Sequence, residues 1–323
     1  MDSDITKVDV AIFGVGKLGS LLGQELIRRG VCSTLFLANR SQRRLDGIAL
    51  SLRVYSFVAG STVSVQSFKG KPPVSVGVVV LAVKDSYDPR DLLKDERLPH
   101  GIESNVRTIG LRRDLPLVRE ACRRLGSFDG IVLVLTNPVD VFTALVKEWI
   151  PTATVLGLGL SLDSARLAYC SQLGGISCRS SDAALGGVHI GQLIQLRSLW
   201  PDGSALKAMP YDSVEGLIVK AREIGPEIVR GLGFTLHDCA TVFANDVEKI
   251  CRPQAALGFL LASLPDRHGA VGRALLPNRE THLKMDTIAL SAEEERQVKF
   301  AGSLVTDMVD RVKRNPVFGY TRL

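Results

Sequence analysis

Three glycines recur in GVGKLG, residues 14–19, directly after the apolar run VDVAIF and ahead of the helically spaced KLGSLLGQELIRRG. The spacing has a chemical use. Gly14 allows a tight turn, Gly16 lets a pyrophosphate approach the backbone, and Gly19 lets a helix pack on a strand. The helix N-terminus, with Lys17 and Leu18 in its first turn, would then face phosphate oxygens. Alone the pattern also fits a plain strand-to-helix turn; the flanking strand and helix, and a second apolar run TLFLAN ending at Asn39, favour a dinucleotide grip. In such grips a carboxylate commonly ends the second strand, where it binds ribose hydroxyls and repels a phosphate. Asn39 removes that repulsion, and Arg40, Ser41, Arg43 and Arg44 offer charge and donors to a 2′-phosphate. NADP(H) is therefore expected over NAD(H), although the same residues could simply begin a basic helix.

A second pair with chemical potential lies in GLSLDSARL. Asp163 and Arg166 stand three residues apart, so on a helix both project to nearly the same face. A guanidinium there can clamp a carboxylate bidentately, and a carboxylate there can orient a histidine. The spacing by itself fits an exposed ion pair equally well.

Positioning these groups requires a scaffold. Apolar runs at 8–13, 34–38, 62–66, 76–83, 131–135 and 154–158 alternate with helical or loop stretches. That pattern predicts an α/β fold, a Rossmann-type doubly wound parallel sheet over residues 1–157. Helices are expected over 41–57 and 114–126, the latter stopped by Gly126. The segment from Lys84 to Arg107, charged and broken by prolines, falls at the carboxyl end of the fourth strand, which is the ligand edge of an open sheet; a lid is expected there. From 158 to 323 the pattern becomes an α+β substrate domain: helices at 161–173, 213–231 and 240–251, strand pieces in AALGGVHIG and LIQLRS, a hairpin at 258–276, and a final helix from Glu293 to Lys313.

Composition bounds the rest. With 323 residues and 46% apolar content the chain can bury a sizeable core. It has no apolar run of membrane-spanning length and an acidic, polar start, MDSDITK, so a cytoplasmic protein with no membrane partner is expected. Six cysteines lack a CxxC pair, which points to reduced core thiols and to no metal site. The net charge of +6 is dispersed and aromatics are few, which argues against nucleic acid and suits an anionic cofactor and substrate.

The run IVLVLTNPVDVFTALV, with GVGKLG before it and GLSLDSARL after it, resembles the lactate and malate dehydrogenase family over nearly the whole chain. The family's Asn-Pro-Val-Asp stands here as residues 137–140, and its Leu-Asp-x-x-Arg as residues 162–166. The resemblance implies that Asn137 helps to position nicotinamide and substrate, that His189 in GGVHIGQ is the acid/base, that Asp163 orients it, and that Arg166 holds a substrate carboxylate. Aligning LPLVRE places Arg107 on the lid arginine that polarises the substrate carbonyl, with Arg90 or Arg97 able to share the role across a lengthened lid. Thr235 matches a threonine of the pocket wall, and His237 and Asp238 beside it are unusually polar. Where the family reads Gly-Glu-His-Gly-Asp-Ser, only Gly187 and His189 remain, beside Val188, Ile190, Gly191 and Gln192.

Together these readings predict an NADP(H)-dependent oxidoreductase acting on a 2-oxo or 2-hydroxy acid other than pyruvate or oxaloacetate. Reduction of a 2-imino acid is one alternative, and a cofactor-binding protein without turnover is another. A related glycosidase branch would need a Cys/His metal cluster, and no cysteine lies near Asn137 or His189. The family implies a homodimer or homotetramer.

Overall fold

The computed structural model describes residues 8–85, 106–189, 191–252, 259–266, 269–277, 285–314 and 320. Strands β1 (Asp9–Phe13), β2 (Thr34–Ala38), β3 (Ser64–Ser67), β4 (Val76–Leu81), β5 (Ile131–Val134) and β6 (Thr154–Leu158) pair in parallel in the order β3-β2-β1-β4-β5-β6. Both faces of the inner strands are covered, which is why they read as unbroken apolar runs, while the edge strand β3 buries only Val65. Within β1, Val10 and Ile12 join one buried cluster while Ala11 and Phe13 join another.

Helices α1 (Lys17–Arg29) and α2 (Gln42–Val58) cover the first face. Helices α3 (Val106–Leu125) and α4 (Val139–Trp149) cover the second. Helix α3 corrects the expected start at 114. The helix begins eight residues earlier, at Val106, and contains Pro116 in its interior. Arg107 is consequently on the first turn of α3 and not in a loop before it. Arg90 and Arg97 lie outside the described residues.

The chain continues through α5 (Leu160–Leu173), β7 (Leu185–Gly187), β8 (Leu193–Gln195), a short 3-10 turn at Arg197–Leu199, and α6 (Ala205–Ala208). Then follow α7 (Tyr211–Leu232), α8 (His237–Cys251), β9 (Leu260–Asp266), β10 (Gly269–Pro277), β11 (Met285–Thr287) and α9 (Ala292–Arg314). The sheet does not stop at residue 157. Gly157 and Leu158 of β6 pair antiparallel with Ser263 and Ala262 of β9, so the sheet runs on through β9, β10, β7 and β8. Helix α8 returns to the first half, where Phe243 and Val247 share a cluster with Leu22 and Leu26 of α1. All six cysteines are free and buried.

Candidate active site

At the carboxyl ends of β1, β2, β4 and β5 the chain must turn, and the turns enclose one cavity of about 1170 Å³. Gly14, Gly16, Lys17, Leu18 and Gly19 line it, as do Asn39, Arg40, Ser41 and Arg44. On its far side stand Asn137, Arg166, His189 and Thr235. A single crevice thus joins the glycine turn to the histidine, as expected of an open α/β sheet.

The three glycines of the turn are required for different reasons. Gly14 has φ +92°, and a Cβ there would meet the Ala82 carbonyl oxygen at 2.6 Å. A Cβ on Gly19 would meet the Gly14 oxygen at 2.6 Å. Gly16 is different: a Cβ on it would find nothing within 4 Å. The fold therefore needs glycine at 14 and 19, while at 16 a bare backbone borders open crevice, as close approach of a pyrophosphate requires. Helix α1 begins there without a side-chain cap or an acidic residue in its first turn, leaving its N-terminal N–H groups and positive dipole end to an anion. Lys17 stands over the Phe234 ring at 3.5 Å. These residues fit a dinucleotide.

At the end of β2, Asn39 is held in place: its amide donates to the Val15 carbonyl at 3.0 Å and its oxygen accepts from the Ser41 N–H at 3.2 Å. Ser41 caps α2 by accepting from the Arg44 N–H. Sequence reasoning missed an acidic neighbour. Asp85, after β4, pairs with Arg40 at 3.3 Å and with Arg113 at 3.2 Å, and its N–H donates to Asp114 at 2.6 Å. Nothing in a local motif links positions 40, 85 and 113; the parallel order of β2, β1 and β4 brings the first two to one edge.

The histidine end is built from α5 and β7. His189 Nδ1 lies 2.6 Å from Asp163 Oδ2, and both residues are buried. Asp163 sits behind the ring and does not line the crevice, whereas Arg166 does. Two features fix the imidazole. Ser164 Oγ donates to the Leu160 carbonyl and accepts from the Leu185 N–H at 3.0 Å, tying α5 to the strand that delivers His189. Gly159, which opens α5, leaves room for the ring, since a Cβ there would approach His189 Cγ to 2.8 Å. Sequence reasoning did not single out Gly159; its only mark is its place between an apolar strand and the helix bearing Asp163.

Arg166 is almost fully buried and already has a partner. Its Nε and Nη2 donate to Asp238 Oδ2 at 3.2 and 2.7 Å. Burial alone would raise the Asp238 carboxyl, but the hydrogen bonds and charge of Arg166 outweigh it and hold it below the ordinary range. A Cβ on Gly225 would meet Arg166 Nη1 at 2.9 Å, so that glycine also makes room. Asp238 does not itself border the cavity; it backs Arg166, between the wall residues Leu236 and Cys239. His237 is exposed and stands outside the wall. Asp140, the last residue of the Asn-Pro-Val-Asp run, turns away and accepts from Ser263 Oγ, joining α4 to β9. The Asn137–Pro138 peptide is cis. Among the described residues, no three His, Cys, Asp or Glu side chains are grouped to hold a metal, and no helix is long and apolar enough to cross a membrane.

Fold and crevice define a doubly wound α/β protein with a glycine turn and a buried histidine–aspartate pair on one cavity. Comparison with known proteins narrows the class. L-lactate dehydrogenase 2 of Staphylococcus aureus is 23% identical over 94% of this chain and 96% of its own length. A lactate dehydrogenase from a Medee basin deep-sea metagenome library superposes with a TM-score of 0.77 at 20% identity, covering 98% of this chain and all of that one (100%). Malate dehydrogenase of Cryptosporidium parvum gives a TM-score of 0.74 at 19% identity, with 96% of this chain and 100% of that chain covered. No family model matches. The chain has the fold of the lactate and malate dehydrogenases and is similar to them in sequence at low identity over nearly its whole length.

Proposed function

We propose that the protein is a nicotinamide-dependent dehydrogenase that reduces C2 of a 2-oxo acid, or oxidises the corresponding 2-hydroxy acid. The observation that carries this reading is the buried His189–Asp163 contact of 2.6 Å, opening on the crevice that the glycine turn also borders. Bound nicotinamide would supply the hydride. Asp163 holds the imidazole in one orientation; His189 passes a proton to the substrate oxygen as charge develops there. Arg166 holds the carboxylate, and Asn137 and Thr235 border the same space. Arg107 fits a closing role from the first turn of α3. The proposed division of labour, cofactor before residue 157 and substrate after it, follows the two ends of the crevice.

NADP(H) is the cofactor that the β2 end suits best. Asn39 is neutral, and Arg44 borders the cavity without an ion pair among the described residues. Arg40 contributes beside it, tempered by Asp85. Substrates other than pyruvate or oxaloacetate fit the partnered Arg166. The test is kinetic, with NADPH and NADH, on wild type, Arg44→Ala, His189→Asn, Asp163→Asn and the double variant. NADPH is expected to be favoured, and Arg44→Ala to lower its kcat/KM by about tenfold. Each dyad variant should lower kcat by about a hundredfold or more, and the pair together by far less than the product, because the two act as one unit. A folded, cofactor-binding His189→Asn protein with near-normal turnover would remove the assignment.

A further inference from the structure

Lys17 opens α1, directly after the bare backbone of Gly16. A cation in the first turn opposes the positive end of the helix dipole, so helix stability does not account for it. Its ammonium has no ion pair among the described residues and lies instead 3.5 Å from the centroid of the Phe234 ring. Lys17 is exposed and Phe234 half-buried, and both border the crevice. A charge unhelpful to the helix is thus held in place, on an aromatic face, where a pyrophosphate would approach Gly16.

Phe234 belongs to the connection 233–236 between α7 and α8, which lines the crevice throughout. The two ends of this wall are fixed by its helices. Gly233, with φ +79°, closes α7 by donating to the Val229 carbonyl, and the Leu236 carbonyl accepts from the Ala240 N–H in α8. Phe234 and Thr235 lie between those anchors, and Lys17 ties Phe234 to the glycine turn across the crevice.

We infer that Lys17 and Phe234 act as one unit: the ammonium, seated on the ring, binds the cofactor pyrophosphate, and through Phe234 the bound cofactor sets the wall residue Thr235. This rests on the dinucleotide reading above. An ammonium carries three N–H donors, so a ring on one side leaves donors for phosphate oxygens on the other. The ring also keeps water from one side of the cation, which strengthens its attraction to an anion. The bound cofactor in turn covers Lys17 from solvent, and a cation–ring contact strengthens as it is desolvated. Lys17 is then a cofactor-binding residue, and Phe234 a positioning residue that acts through it.

The test reads NADPH affinity and amide hydrogen exchange, not turnover, in wild type, Lys17→Met, Phe234→Leu, the double variant, and the conservative Lys17→Arg and Phe234→Tyr, with thermal melts reporting folding. Lys17→Met is expected to weaken NADPH binding about tenfold and Phe234→Leu about threefold, while the double variant loses no more than Lys17→Met alone. Saturating NADPH should slow exchange in both 14–19 and 233–239 of wild type. In each single variant the slowing at 14–19 should persist and that at 233–239 should vanish, and the two conservative variants should restore it. Because Lys17 is exposed, Lys17→Met keeps the fold and its exchange pattern decides even if Phe234→Leu does not fold. Wild-type affinity in Phe234→Leu, losses that multiply in the double variant, or slowing at 233–239 that survives Lys17→Met would overturn the pairing and leave the cofactor reading intact. A wild-type protein that binds neither NADPH nor NADH would contradict the cofactor reading itself and remove the inference with it.

Discussion

At the scale of single residues, the GVGKLG turn separates what folding needs from what a ligand needs. Gly14 and Gly19 are fixed by contacts of 2.6 Å with the chain itself, while Gly16 borders empty crevice. Gly16→Ala is therefore expected to fold with a melting temperature close to wild type and to bind NADPH about tenfold or more weakly, since a methyl group takes the space of a phosphate contact. Gly14→Ala should instead lose stability, because its φ of +92° and the Ala82 carbonyl both reject a side chain. Fluorescence titration of NADPH and thermal melts check both; unchanged NADPH affinity in Gly16→Ala would show that the turn only turns. The candidate residues that meet at the crevice were singled out in sequence by different signals: Asp163 and Arg166 by sharing a helix turn, His189 by the resemblance of its loop. Their supports were not. Gly159 and Gly225 act by lacking a side chain, and the pairing of Arg166 with Asp238 spans 72 positions, which no spacing rule reaches.

At the scale of elements, α8 carries a group that ties stability to pH. Asp246 is fully buried, its Oδ2 has no hydrogen-bond partner, and the nearest cation, Lys249, is 3.8 Å away. Burial pushes its carboxyl up to about 7, against smaller opposing effects of Lys249 and Ser161. The unfolded chain releases this proton near the ordinary aspartate value while the folded chain keeps it to about 7, so stability falls as pH rises between those values and levels off above. Asp246→Asn cannot ionise. Its stability relative to wild type should improve by about 2–3 kcal/mol between pH 5 and pH 8, measured by urea unfolding at each pH. An unchanged difference would mean that Asp246 does not titrate in this range. Element boundaries were legible where an apolar run has clear ends, as for β2 and β6, and failed at α3, which begins at Val106 where the sequence reading began it at 114. Phe243 and Cys239 of the same α8 line the crevice, so the element that is pH-sensitive also forms part of the pocket wall.

At the scale of the whole molecule, a doubly wound parallel sheet was legible because its inner strands are buried on both faces and read as apolar runs, whereas their order β3-β2-β1-β4-β5-β6 was not read from the sequence. The continuation of that sheet through β6 and β9 was not, because antiparallel pairing across more than a hundred residues leaves no periodic signal. This continuity explains why one crevice borders both groups: the glycine turn and the histidine hang from strands of a single sheet. Isotope transfer tests the central claim most directly. NADPH carrying deuterium at C4, as each stereoisomer separately, is incubated with the protein and a panel of 2-oxo and 2-imino acids, and the products are examined by mass spectrometry. The expected result is deuterium at C2 of a hydroxy-acid or amino-acid product from one stereoisomer and none from the other. A protein that binds NADPH in the crevice yet passes deuterium to no member of the panel would contradict it.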